Sequence, residues 1–296
     1  MRIGTAEHNS TFLSQGLALK AVLEKHGVKG PIEILQSETA SIQNAGRLHK
    51  ADIDFGFMAA NWIGKAKRGE PPFEQPIDLR MVAPMNAGPM FFITQAGSNI
   101  RTVADLRGKR VSVGAERSGV HQHARSIFGA LKIAFTDFTP LFMDFATGAQ
   151  ALAKGEIDAQ LQCPIPNTVM TWLDARADIR VVPYAPADLE TVLRECPIYQ
   201  KTIMRKGALR GLTEDVAQPA VVNVLVTHAR ADAEMVRQVA AIAHKGADEL
   251  AQLNALFTGL ADLFPPLKQK GRAALEFEGV PLHEGAARAY RDAGLI

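Results

Sequence analysis

A weak internal repeat constrains the fold of this chain more than any other feature. Leu48-His49-Lys50-Ala51-Asp52-Ile53-Asp54 is echoed by Leu152-Ala153-Lys154-Gly155-Glu156-Ile157-Asp158, an offset of 104 residues from Asp52 to Glu156. Each copy reads as a helix end, a tight acidic turn and a strand. Upstream, RIGTAEHNSTFLSQGLALKAVLEKHG and RVSVGAERSGVHQHARSIFGALK repeat the order strand, polar loop, helix. The first helix carries an apolar set of Phe12, Leu13, Leu17, Val22 and Leu23, and the second Val120, Ile127, Phe128 and Leu131. A middle strand follows in each half, PIEIL at 31–35 and PLFMDF at 140–145. Each half is therefore expected to be β-α-β-α-β, which right-handed crossovers convert into a parallel sheet flanked by helices.

LRMVAP (79–84), PMFFIT (89–94) and AVVNVLVT (220–227) are further apolar strand candidates. They place one chain passage between two α/β lobes at 85–89 and a return near 218–222. Lobe 1 is then 1–88 plus 222–296, and lobe 2 is 89–221. The tail 232–296 is helical, and DAEMVRQVAAIAHKGADELAQL shows a 3.6-residue apolar stripe that would pack on lobe 1. Ligands of parallel α/β sheets bind beyond the carboxyl ends of the strands. Two facing lobes would bring six loops to one hinged cleft: 5–11, 36–41, 59–62, 114–121, 144–147 and 162–167.

The 296 residues carry a net charge of +2 with Lys and Arg scattered, which gives no footprint for nucleic acid or an anionic membrane. No apolar run of 18 residues marks a membrane span. Arg2-Ile3-Gly4-Thr5 reads as a first strand with no apolar leader ahead of it. Either a signal peptide has been removed, as a periplasmic protein requires, or the protein is cytoplasmic. Cys163 and Cys196 fit one disulfide or two reduced thiols equally well.

The segment VSVGAERSGVHQHARSIF (111–128) opens a helix after a Gly/Ser turn, a geometry that seats anions. A phosphate loop needs Gly-Lys-Ser/Thr and a dinucleotide loop needs G-x-G-x-x-G; both are missing here. His121 and His123 would stand about 200° apart on the helix and could not chelate one metal. No metal or cofactor is expected. Ser118 is the expected cap, while Arg117 would either clamp a carboxylate or point into solvent. Glu7-His8 raises acid–base chemistry, yet no matched nucleophile accompanies the pair, so no catalytic residue is assigned.

TASIQNAGRLHKADIDFGFM (39–58), DLRGKRVSVGAERSGV (105–120), ALAKGEIDA (151–159), EDVAQPAVVNVLVTHARADAEMV (214–236) and PLHEGAARAYRDAG (281–294) resemble the TAXI-type solute receptors of TRAP transporters. The resemblance covers nearly the whole chain in the right order. It implies a two-lobed type II periplasmic-binding-protein fold, α/β with two parallel-type sheets and a hinged cleft. It also implies a monomer that captures a small organic acid or amino acid and delivers it to TRAP membrane subunits. Two departures fall on ligand loops. The first loop reads GTAEHNSTF where the family is small, and Ala60-Asn61-Trp62 replaces the usual Gln-x-Asp.

On that resemblance, Arg117, Ser118, Gly119 and His121 would hold an anionic end of the solute from lobe 2, with Asn167 as a polar contact. Glu7, His8, Asn9, Ser10, Thr11, Ser41, Asn61 and Trp62 would set its identity from lobe 1. Ser41 would either cap a helix or donate to the ligand, and Trp62 would either stack on the solute or fill the core. The alternatives are an enzyme on the same fold, decarboxylase-like or pyrimidine-precursor-synthase-like, and a cytoplasmic ligand-sensing module. The lack of a helix-turn-helix segment speaks against a regulator.

Overall fold

The computed structural model describes residues 1–296 apart from Asn9, Arg117 and Cys163. The chain forms two compact units, Met1–Ala87 with Val222–Ile296, and Gly88–Val221. Unit 1 begins with β1 (Arg2–Gly4), α1 (Thr11–Lys25), β2 (Glu33–Leu35), α2 (Ser41–His49), β3 (Phe55–Ala59), α3 (Ala60–Arg68) and β4 (Leu79–Pro89). Unit 2 continues with β5 (Phe91–Gln95), β6 (Arg110–Ser112), α4 (Gly119–Ala130), β7 (Thr139–Leu141), α5 (Phe145–Ala153) and β8 (Ala159–Gln162). It is completed by α6 (Thr168–Asp174), β9 (Ile179–Val182), α7 (Pro186–Glu195) and β10 (Tyr199–Met204). β11 (Val216–His228) leads back to unit 1, which ends with α8 (Ala233–Lys245), α9 (Ala247–Leu253), α10 (Leu267–Lys270) and α11 (Glu284–Asp292).

The repeat is visible at the level of single hydrogen bonds. At the start of β1 the Arg2 N–H donates to Asp54 Oδ2 at 2.7 Å, and at the start of β6 the Arg110 N–H donates to Asp158 Oδ2 at 2.7 Å. The Arg2 and Arg110 guanidinium groups donate to the carbonyls of Ala51 (2.9 Å) and Gly155 (3.0 Å), which sit in matching left-handed turns. A threonine from the neighbouring antiparallel strand finishes each motif: Thr227 Oγ1 donates to Asp54 O, Thr94 Oγ1 to Asp158 O.

Each sheet has a parallel three-stranded block at one edge, β2-β1-β3 in unit 1 and β7-β6-β8 in unit 2. Antiparallel strands extend both. β11 runs against β3, with Asn223 opposite Ala59, and β5 runs against β8 and β9. β4 and β10 also pair with β11, β10 in antiparallel register.

Three expectations shift. The strand expected at 140–145 stops at Leu141, because Asp144 accepts from the Thr147 N–H and starts α5. The helix expected through 253 breaks at Gly246. On α1, Leu17 is exposed and Leu13 half-buried; the buried face is Phe12, Gln15, Gly16, Ala18, Leu19, Val22 and Leu23. Gly16 brings this helix down onto the sheet, since a Cβ there would stand 2.5 Å from Thr5 Cγ2.

The unit 1 core is built on Leu19, Leu23, Phe55, Phe57 and Tyr290, whose hydroxyl donates to Val82 O at 2.7 Å. Unit 2 buries Phe91, Ile93, Leu152 and Leu173 together. Among the described residues no helix is long and apolar enough to cross a membrane.

The two repeats fill one equivalent spot in opposite ways. In unit 1 the helix supplies a buried amide, Asn44 on α2, and the facing strand positions are Gly4 and Gly56. Asn44 Nδ2 donates to Thr5 O (2.9 Å) and Phe57 O (3.0 Å). In unit 2 the helix supplies Gly148, and the strand supplies Gln160, whose Nε2 donates to Phe145 O at 3.0 Å. A Cβ on Gly148 would stand 2.3 Å from that nitrogen, and one on Gly4 would stand 2.5 Å from Asn44 Oδ1.

Candidate functional site

In unit 1 the loops after β1 and β2 are tied together at the carboxyl edge of the sheet. The buried Thr5 donates through its N–H to Leu35 O (2.8 Å), and its carbonyl accepts from Ser37 Oγ (2.7 Å) and from Asn44. Ser10 caps α1 by accepting from the Leu13 N–H at 3.1 Å, and its own N–H donates to Glu7 O. This turn leaves Glu7 and His8 exposed, with Thr11 half-buried on the first turn of α1. Glu7, Gln36, Ser37, Glu38, Gln43 and Arg47 line a depression of about 350 Å³. Arg47 is anchored there by donating to Gln36 O at 2.8 Å.

Ser41 is buried and its hydroxyl accepts from the Ala59 N–H at 3.1 Å, so it joins α2 to the end of β3 rather than capping its helix. Trp62 packs edge-on against Phe73 at 6.4 Å, with Lys65 Nζ 5.0 Å from its ring. Asn61, beside it on α3, holds a buried side-chain oxygen with no partner among the described residues.

In unit 2 the chain turns at Gly114, whose φ of +87° favours glycine; a Cβ there would meet Val120 Cβ at 2.7 Å. Ser118 caps α4 by accepting from the His121 N–H at 3.2 Å, and Gly119 is exposed at the first helical position. The His121 ring packs against Phe135 and Phe142. His123 points elsewhere: its Nδ1 meets the Tyr199 hydroxyl at 2.8 Å, and burial lowers its pKa to about 4. Asn167 is occupied by structure, capping α6 through the Met170 N–H (2.8 Å) and donating to Pro164 O (2.6 Å).

The expected ligand contacts Asn9 and Arg117 lie outside the described residues, as does Cys163 of the disulfide question. Cys196 is a free thiol facing Ser126 O at 3.6 Å, and burial raises its pKa. Among the described residues no group of three His, Cys, Asp or Glu side chains could hold a metal ion.

Sequence reasoning passed over a set of buried amides. Gln15 on α1, Asn86 on β4 and Asn223 on β11 are hydrogen-bonded to one another in unit 1. Gln162, wholly buried at the carboxyl end of β8, has neither side-chain polar atom paired among the described residues. The available signal was a polar residue interrupting an apolar run, as in AVVNVLVT and LRMVAPMNAGP.

The NMT1-like family model matches residues 3–294. Among solved structures, a TctC solute binding protein from Polaromonas superposes with a TM-score of 0.57 at 14% identity, covering 88% of this chain and 86% of that one. A putative periplasmic sulfonate-binding protein of a sulfonate ABC transporter, SsuA from Methylobacillus flagellatus KT, gives 0.55 at 13% identity over 100% and 94%. An OxyR mutant from Corynebacterium glutamicum bound to H2O2 gives 0.53 at 14% identity over 86% and 66%. At these identities the likeness shows a shared fold, the mixed α/β architecture of two-lobed periplasmic binding proteins with two sheets flanked by helices.

Proposed function

The chain belongs to the NMT1-like family, and from that premise we propose that it is a solute-binding receptor. It captures a small carboxylate-bearing molecule, an organic acid or amino acid, and performs no covalent chemistry on it. One observation carries this reading: the same carboxyl sheet edge in both repeats ends in a capped polar loop and a helix start. The carboxylate seat is the start of α4, where Ser118 and Gly119 present the first turn and Arg117 supplies the clamp. In unit 1 the candidates for setting the identity of the solute are Glu7, His8, Asn9, Thr11 and Asn61, since Ser10, Ser41 and Trp62 are engaged within the fold, as is Asn167 in unit 2; His121 stands beside the seat on α4. The motif resemblance to TAXI-type receptors makes the membrane subunits of a TRAP transporter the acceptor, and the periplasm the compartment.

A thermal-shift screen of organic acids and amino acids tests the reading, because a ligand that binds only the folded state raises the melting temperature. A carboxylate hit recovered unchanged after prolonged incubation is the expected result, and Arg117→Ala should weaken it. Chemical conversion of the hit would establish an enzyme instead. Hits confined to cationic or neutral compounds would remove the carboxylate seat.

A further inference from the structure

The amide cluster of unit 1 is more than packing. Gln15 is wholly buried on the second turn of α1, and its Nε2 donates to Asn86 Oδ1 at 3.2 Å. Asn223 Nδ2 donates to the same oxygen at 3.1 Å. Gln15 Oε1 is buried with no partner among the described residues, while Asn223 is half-buried. The register puts Asn223 opposite Ala59, at the carboxyl end of β3, and α1 starts from the loop that leaves the same edge at β1. The cluster therefore belongs to the edge where an α/β sheet binds ligands.

Its chemistry is specific. No charged side chain hydrogen-bonds to any of the three amides among the described residues. An orphaned buried oxygen destabilises a fold, and Met at position 15 would fill the same space without that cost. Rotating all three amides together exchanges donors for acceptors but still leaves one unpaired end on Gln15. In either setting the cluster is neutral and offers both a donor and an acceptor. A carboxylate brought against it would find no cation, and an ammonium would lose its water without an anion in return.

We propose that Gln15, Asn86 and Asn223 recognise an uncharged hydrogen-bonding group of the solute, a primary amide or hydroxyl. The inference rests on the receptor reading and sharpens it: the captured molecule has a neutral polar end besides its carboxylate.

Isothermal titration of the full chain with succinate, succinamate, glutarate and glutaramate at neutral pH tests this. The monoamides should bind about tenfold or more tightly than the matched diacids. Asn223→Ala should erase that preference. Gln15→Met should raise the melting temperature of the unliganded protein while weakening monoamide binding, a combination that a purely structural amide would not produce. Tighter binding of the diacids, or monoamide affinities unchanged in both variants, would overturn the assignment and leave the receptor reading intact. Failure of all four probes to bind would also overturn it; the receptor reading falls separately, when the wider solute screen gives no hit.

Discussion

Replacing Asn44 with Leu offers a quantitative test of how the two repeats are built. The side chain is wholly buried, and its Nδ2 donates to Thr5 O at 2.9 Å and Phe57 O at 3.0 Å. Leucine keeps the approximate size but donates nothing. Thr5 O retains Ser37 as a donor at 2.7 Å, so the loss lies between one and two unsatisfied carbonyls. Leucine also removes Asn44 Oδ1, which is buried without a partner among the described residues, so the net cost is about 1–2 kcal/mol. The matching change in unit 2, Gln160→Met, removes one bond to Phe145 O and also removes an oxygen that is already unpartnered. Its net cost should be about 1 kcal/mol or less. The chain has two tryptophans, Trp62 in unit 1 and Trp172 in unit 2, so each unit can be followed by itself. In a Trp172→Phe background, urea unfolding followed by Trp62 fluorescence should show Asn44→Leu lowering the midpoint by up to about 1 M. In a Trp62→Phe background, Gln160→Met should move the Trp172 midpoint less. Equal losses, or an Asn44→Leu shift within experimental error, would refute the view that the amide brackets the strands of unit 1.

Two further outcomes follow from titration. Burial lowers His123 from 6.5 to about 4, so between these values the unfolded chain binds the extra proton. Stability is then fully present above pH 6.5 and declines as pH falls toward 4, by up to about 3 kcal/mol for unit 2. His123→Gln should flatten that part of the pH–stability curve, as read from Trp172 unfolding. The Arg110 side-chain hydrogen bond lowers the pKa of Asp158, so this carboxylate stabilises above its ordinary value near 3.8 and ceases to as pH falls through its folded pKa. Asp158→Asn should cost about 1 kcal/mol at neutral pH, reduced by solvent at this partly exposed pair, and should weaken the pH dependence below 4 in the same assay.

Much of the fold was legible because turns and periodicity are local. The echo of Lys50-Ala51-Asp52-Ile53-Asp54 in Lys154-Gly155-Glu156-Ile157-Asp158 reports a left-handed turn and an aspartate that reaches back to the first strand of its repeat. The mixed character of the sheets was not legible. Strand direction depends on how a connection returns, and an apolar run such as PMFFIT reads alike in either sense. For the site, the Ser118 cap follows from the residues themselves, whereas the commitment of Asn167 to a helix cap and of Trp62 to Phe73 depends on tertiary neighbours. Gln15, Asn86 and Asn223 are far apart in sequence, and although Asn86 and Asn223 each interrupt an apolar run, nothing local joins the three into one cluster. Only the fold brings them within hydrogen-bond distance of one another.

The opposite placement of the bracketing amide has a consequence for folding fidelity. A chain carrying two copies of one topology risks docking a helix from one copy on the sheet of the other. Here α2 against the second sheet would force Asn44 and Gln160 into one space, while α5 against the first would bring Gly148 to Gly4 and Gly56 and leave a void. Both mismatched pairings are penalised by volume alone. The repeat thus carries a pairing code, and its divergence lets each half select its own helix while the chain collapses.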